Sequence, residues 1–177
     1  MPLSLRPIGR SAVLASLAAL LMMSCMAPRV EDRTSAHVAT RLVVLKRAHV
    51  LRAYRGNQLL REFKVALGVG GLKPKLRQGD GRVPEGEYVI DGRNPKSAFH
   101  LSLHISYPTP HQRRIAAAQG VDPGGAIMIH GLPNGQASVG QKHRVTDWTE
   151  GCIAVTDPEI EWIWRSVPDG TPILITP

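Results

Sequence analysis

Cysteine is nearly absent from this chain. Of 177 residues only Cys25 and Cys152 are cysteines, and aromatic residues make up 5%. Two thiols without a C-x-x-C pair rule out a disulfide-dense scaffold and give no support to a structural zinc site. The scarcity of rings leaves Val, Ile and Leu to supply most of the core. No block of Lys and Arg is interleaved with aromatics, so the formal charge of +8 does not indicate a nucleic-acid interface. The basic residues are scattered, which suits either an anionic envelope or a solubilising surface. With 43% hydrophobic and 20% charged residues, the composition is that of one globular domain. Past Met23 no run is apolar enough to span a bilayer.

Near the start, Arg6 and Arg10 precede the apolar run SAVLASLAALLMM, from Ser11 to Met23. A basic start and a short hydrophobic stretch are the parts of a secretory signal, too short for a finished transmembrane helix. The LMMSC that follows resembles a bacterial lipobox, which would make Cys25 a lipidation site and a membrane anchor; ordinary cleavage after Ala27 is the alternative. Residues 1–25 are therefore expected to be a secretory or lipoprotein signal. Residues 26–40, polar and without a clear period, are expected to be a flexible tether. Residues 41–177 are left as the folded domain of an exported protein, periplasmic or otherwise in the cell envelope.

Strand signals dominate that domain. RLVVLK from Arg41 and the run from Val50 to Tyr54 are short and apolar or alternating; Arg55-Gly56-Asn57 then turns the chain into Gln58–Leu67, with a bulge expected near Arg61-Glu62. Further strands are expected at Gly86–Ile90, His100–Ser106, Ala126–Ile129, Ile153–Val155 and Thr171–Ile175. A short helix is expected over Gln112–Gln119. A second helix is marked by Thr156-x-x-Glu159, a capping-box pattern, with Pro158 in the first turn and Ile160, Ile163, Trp164 and Val167 on one face. The pattern as a whole predicts a mainly β domain.

Cys152 carries the chemistry. An unpaired thiol in an exported protein is a liability unless it reacts, and reaction requires a base or a positive neighbour to generate the thiolate. His130, in IMIHG, supplies that base if its strand lies beside the one leaving Cys152 in GCIAV. The carbonyl of Gly131 is placed to hold the second ring nitrogen, and N–H groups around Gly151 and Cys152 to form an oxyanion hole. Acyl transfer through a thioester follows. A buried structural Cys with a core His, and a zinc site from Cys152, His130 and His143, are the alternatives.

Four runs together carry a family resemblance: GDGRVPEGEYVI (79–90), HLSLHISYP (100–108), PGGAIMIHGLPNG (123–135) and DWTEGCIAVTDPEIEWIW (147–164). From about residue 40 to 177 the chain resembles the L,D-transpeptidase catalytic domain of bacterial cell-wall enzymes. That pattern is a His-Gly pair, a variable spacer, then Ser/Thr and His before a Gly-Cys pair. His130, Gly131, Thr149, Gly151 and Cys152 match it. Glu150 stands in place of the usual histidine and Ala154 in place of the common Asn or Arg, departures that bear on donor and acceptor specificity. The resemblance implies a β-sandwich or barrel-like fold with a few short helices, no metal or organic cofactor, and peptidoglycan stem peptides as partners. Cys152 would attack the carbonyl of the L-centre preceding a terminal D-amino acid, and an amine, commonly of another stem peptide's diaminopimelate, would resolve the thioester. Water as acceptor would make a carboxypeptidase or a hydrolase of cross-links or lipoprotein tethers. A non-catalytic peptidoglycan-binding module is the alternative from another class.

Around this pair, His143 and Arg144 in the spacer are candidates for stem-peptide carboxylates. Trp148, Thr149 and Glu150 flank the cysteine as candidate substrate contacts. Ser102 and Tyr107 are expected to line the groove from their alternating strand, along with His104 and Ser106.

Overall fold

Alternating residues Leu42 and Val44 of Arg41–Leu45 (β1) are fully buried, as are Leu51 and Ala53 of Val50–Arg55 (β2). That period of two lets β1, β2 and Gln58–Lys64 (β3) pair as an antiparallel meander with one face inward. The computed structural model describes residues 37–177, so the expected signal, Cys25 and the expected tether up to residue 36 lie outside the described residues. Ala39 and Thr40, which composition assigns to the tether, already belong to the fold. Ala39 is buried with its N–H on Ser166 O, and Thr40 N–H bonds Tyr54 O.

The remaining elements are Gly86–Ser97 (β4), His100–Ile105 (β5), Pro110–Ala118 (α1), Met128–His130 (β6), Ile153–Ala154 (β7), Asp157–Ser166 (α2) and Pro172–Thr176 (β8). Eight strands make one curled sheet in the order β3-β2-β1-β8-β4-β5-β6-β7, and the fold is mainly β. Neighbours are antiparallel except β1 with β8 and β6 with β7. The β2–β3 ladder shifts register so that Leu60 is the extra residue, one position before the expected bulge. β4 runs seven residues past the expected Ile90 because it bends through two irregularities while staying paired with β5.

Both helices begin at capping boxes. Thr109 and Gln112 exchange backbone and side-chain hydrogen bonds at the start of α1, with Pro110 in its first turn. Glu159 reaches back to the N–H and hydroxyl of Thr156 to start α2. Ile160 and Ile163 of α2, with Val167 just beyond it, are fully buried and join Leu103, Ile105, Ile129, Ile153 and Val155 in the core. Each such side chain contributes about 1.5–3 kcal/mol on burial. The core is aliphatic apart from Phe63, Tyr88 and Tyr107, as the lack of rings requires.

Two buried lysines hold the long segment between β3 and β4. Lys46 is wholly buried, and its ammonium donates to Lys73 O, Val83 O and Glu85 Oε1. Lys75 donates to Arg77 O and Asp80 Oδ1, and Asp80 also accepts the N–H groups of Leu76, Arg77 and Arg82. Burial alone would raise the Asp80 carboxyl, but Lys75 and those three N–H groups outweigh it and hold it at about 2. No helix among the described residues is long and apolar enough to cross a membrane.

Candidate active site

Strands β6 and β7 lie side by side, with Ile129 opposite Ile153 and His130 opposite Ala154. Cys152, immediately before β7, therefore falls abreast of Met128. Because side chains alternate between faces, Met128, His130, Cys152 and Ala154 share one face while Ile129 and Ile153 point into the core. One strand across and two residues along separates the His130 and Cys152 backbones by roughly 8 Å. Diagonal neighbours on one sheet face at that spacing are within reach of a long or ring side chain.

His130 is buried, and its Nδ1 lies 2.7 Å from the carbonyl of Gly131. Nδ1–H donates to that carbonyl, which leaves the lone pair on Nε2. Burial pushes the imidazole below its ordinary range, with the Gly131 hydrogen bond acting against it, so the ring is neutral at pH 7. Phe99 packs on the ring with centroids 4.5 Å apart, and Trp148 stands edge-on at 5.6 Å. The turn is fixed from below: Gly131 N–H bonds Phe99 O and Leu101 O, and Asp157 of α2 accepts the N–H of Leu132 at 2.8 Å. A Cβ on Gly131 would sit 2.7 Å from that same carboxylate, so the approach needs glycine.

The cysteine loop is strapped to the segment after β3. Leu67 N–H donates to Asp147 Oδ1, Leu67 O accepts from Trp148 and Thr149, and Val69 N–H bonds Thr149 O. His49 pairs with the other oxygen of Asp147 at 3.0 Å. Gly151 has φ +119°, and a Cβ there would meet Arg82 O at 2.6 Å; no other residue type fits. Cys152 is half-buried, with Sγ 3.6 Å from Ala126 O. Burial pushes its thiol above the ordinary range, against the Met128 N–H and the Lys75 ammonium; Glu150 adds to the rise.

Of the expected substrate contacts, several turn inward. Ser102 is 2% exposed, alongside His130 on β5, so it does not line an open groove. Tyr107 is buried, donates to Pro123 O and has its phenol pushed up to about 12 by burial. Thr149 is buried and braces the loop, its hydroxyl donating to Cys152 O and accepting from Gly151 N. Arg144 is engaged by both oxygens of Glu159, which ties the spacer to the start of α2. His143 is buried in the 3-10 segment Ala137–Arg144 and accepts from Trp148 Nε1 at 3.5 Å; burial and Arg144 push it below its ordinary range. Trp148 packs on His130, and Glu150 is exposed beside the cysteine. Phe99, Asp157 and the Leu67–Val69 strap escape sequence reading because they act through contacts between segments distant in sequence, which no local pattern announces. Among the described residues no cluster of three His, Cys, Asp or Glu side chains is placed to hold a metal.

Residues 39–175 match the family model of the L,D-transpeptidase catalytic domain, YkuD. The Escherichia coli protein YafK, whose name assigns it provisionally to the L,D-transpeptidases, is 38% identical over 112 residues, covering 62% of this chain and 38% of YafK. Two solved structures share the fold. The helical cell shape determining protein Pgp2 of Campylobacter jejuni (K307A mutant) superposes with a TM-score of 0.59 at 24% identity, over 77% of this chain and 46% of Pgp2. An L,D-transpeptidase of Mycobacterium smegmatis gives 0.52 at 15%, over 78% and 59%. The chain thus spans between 38% and 59% of the length of these relatives. With a family match running from the first residues of the fold to its last strand, the chain belongs to the L,D-transpeptidase catalytic domain family.

Proposed function

We propose that this domain is an exported cysteine acyltransferase of peptidoglycan stem peptides, an L,D-transpeptidase, with Cys152 as nucleophile and His130 as general base. The observation that carries this reading is the parallel β6–β7 pairing, which presents both side chains on one face while Gly131 O fixes the ring tautomer. The thiol proton passes to His130 Nε2 as Sγ attacks the carbonyl carbon of the L-centre. The developing oxyanion faces the N–H of Cys152, which makes no hydrogen bond among the described residues. Gly151 N–H, the other expected donor, is held at 3.3 Å by the Thr149 hydroxyl and so serves the loop first. Collapse breaks the C–N bond, and the departing D-amino acid takes the proton from the imidazolium. An acceptor amine then attacks the thioester, losing its proton to His130, and Cys152 is released as the thiol.

In this reading Trp148 and His143 wall the donor side of the site and Glu150 meets the incoming acceptor. A lipid on Cys25 would keep the domain at the membrane face of the cell envelope. Purified protein incubated with defined tetrapeptide muropeptides is expected to release the terminal D-residue and to form an amine adduct when a second stem peptide is present. Cys152→Ala is expected to abolish both. Unchanged release by that variant would refute the reading, and water incorporation alone would make the enzyme a carboxypeptidase.

A further inference from the structure

The carbonyl of Arg82 fills the place that a side chain on Gly151 would take. The same arginine lines a cavity of about 250 Å³, together with Leu76, Arg77, Asp80, Gln119 and Val121. Asp80 shapes one wall by accepting the N–H groups of Leu76, Arg77 and Arg82. The other wall follows α1 and is tied on through the N–H of Gln78, which bonds Asp122 O. Charge in this cavity is unbalanced. The Asp80 carboxylate is engaged on both oxygens and paired with the Lys75 ammonium. Arg82 Nε donates to Gly70 O, which leaves its two terminal nitrogens without a partner among the described residues, and the Arg77 guanidinium has none there. The carbonyls of Ile115, Ala116 and Ala117 at the end of α1 are taken by the N–H groups of Gln119, Gly120 and Val121. Asp122 accepts the N–H of Gly124 and pairs with neither arginine. One exposed arginine is solvated and needs no partner. Two that line one small cavity lie within about a Debye length, 8–10 Å, and repel each other.

We infer that this cavity is a phosphate-binding site, in which Arg77 and Arg82 donate to the phosphate oxygens while Leu76 and Val121 flank the carbon side of a phosphate monoester. The planar fork of a guanidinium matches phosphate oxygens in pairs, and two uncompensated positive charges favour a dianion over a single carboxylate. The volume falls below the roughly 300 Å³ at which pockets for drug-sized ligands begin, and suits a small anion. Leu76 is 56% exposed, an apolar side chain that the fold leaves uncovered at the rim. None of the lining residues belongs to the His130–Cys152 site, so the inference stands apart from the acyl-transfer reading. The two sites meet only through the backbone of Arg82. A ligand on its side chain braces the segment whose carbonyl packs against Gly151.

The experiment titrates the protein with inorganic phosphate by calorimetry and by thermal unfolding, in chloride buffers of matched ionic strength. Saturable binding is expected, with Tm raised by roughly 4–8 °C at about a hundredfold excess over Kd. Arg77→Gln and Arg82→Gln are each expected to weaken binding by roughly tenfold or more. Lys73→Gln, an exposed cation of the same segment that does not line the cavity, should bind as the parent does, and so should Cys152→Ala. Arg77 makes no side-chain contact, so its variant keeps the test valid even where Arg82→Gln fails to fold. Two further ligands distinguish the source of the phosphate. Binding of glycerol 3-phosphate alone points to a soluble ester, whereas Arg77-dependent retention on phosphatidylcholine vesicles carrying phosphatidic acid points to a lipid headgroup. The inference is overturned by an absence of saturation, by equal weakening in Lys73→Gln, or by acetate binding as tightly as phosphate. Acyl transfer would stand in each of those cases, since it is read from peptide turnover.

Discussion

The hydroxyl of Thr149 donates to the carbonyl of Cys152 at 2.8 Å while accepting the N–H of Gly151 at 3.3 Å. One buried side chain thereby sets the backbone on both sides of the thiol. Thr149→Val keeps the shape and removes both bonds, leaving a donor and an acceptor unmet. It is expected to cost about 1–3 kcal/mol of stability, read by urea denaturation. In the proposed mechanism the Cys152 N–H faces the developing oxyanion, so kcat/KM is expected to fall by roughly tenfold or more, with Thr149→Ser restoring most of it.

Burial acts on the proposed base and nucleophile in opposite directions and favours the same neutral state. It lowers the imidazole of His130 and raises the thiol of Cys152, so a thiol beside a neutral base is preferred over a thiolate–imidazolium pair. Iodoacetamide alkylation of Cys152 is accordingly expected to be slow at pH 7 and to rise only beyond the ordinary thiol range. With His130 as the proposed general base, the acid limb of kcat/KM is expected below the ordinary histidine midpoint of about 6.5. Glu150→Gln removes a charge that raises the thiol and should move the alkylation profile to lower pH. An alkylation midpoint near neutrality would show a preformed ion pair and contradict this account.

The parts of the site that sequence reveals are those governed by local chemistry. Thr156 and Glu159 announce the start of α2, the period of two in β1 and β2 announces strands, and GCIAV beside IMIHG announces two short buried strands. What stays hidden depends on chain segments distant in sequence. Nothing near Ser102 or Tyr107 says that the packing around His130 and the Tyr88 contact bury them. Alternation on β5 fixes which residues share a face but not which end of that face is covered, and only Phe99 and Trp148 decide it. Lys46 and Lys75 read as surface charges until the segment they hold is folded around them.

Gly151 illustrates the same dependence and gives a direct test. Its positive φ suits glycine alone, and the Arg82 carbonyl occupies the place of a side chain. Gly151→Ala must move either backbone, with an expected cost of about 2–4 kcal/mol in thermal or denaturant unfolding. Any folded fraction should alkylate at Cys152 but turn over poorly, because the loop that aims its N–H has shifted. Gly56→Ala, at a turn where nothing lies within 4 Å of the new methyl group, pays only the positive-φ cost and should lose about 1 kcal/mol.

Asp80 gives a pH-dependent test of the segment that backs Gly151. Its carboxyl is held at about 2, against about 3.9 in an unfolded chain. A depressed carboxylate stabilises the fold above its unfolded pKa, and that contribution is lost as pH falls through the folded value. Nearly two pKa units correspond to about 2.5 kcal/mol, fully present at pH 7 and fading between about pH 4 and 2. Asp80→Asn forfeits this and leaves the buried Lys75 ammonium without its partner, which raises the expected cost at pH 7 to about 3–5 kcal/mol. Below pH 2 the parent protein also has a neutral side chain beside Lys75, so the two stabilities should converge. Urea titrations of both proteins at pH 7, 4 and 2.5 measure this, and a gap that stays constant with pH would show that Asp80 is not ionised by Lys75 and its three N–H donors.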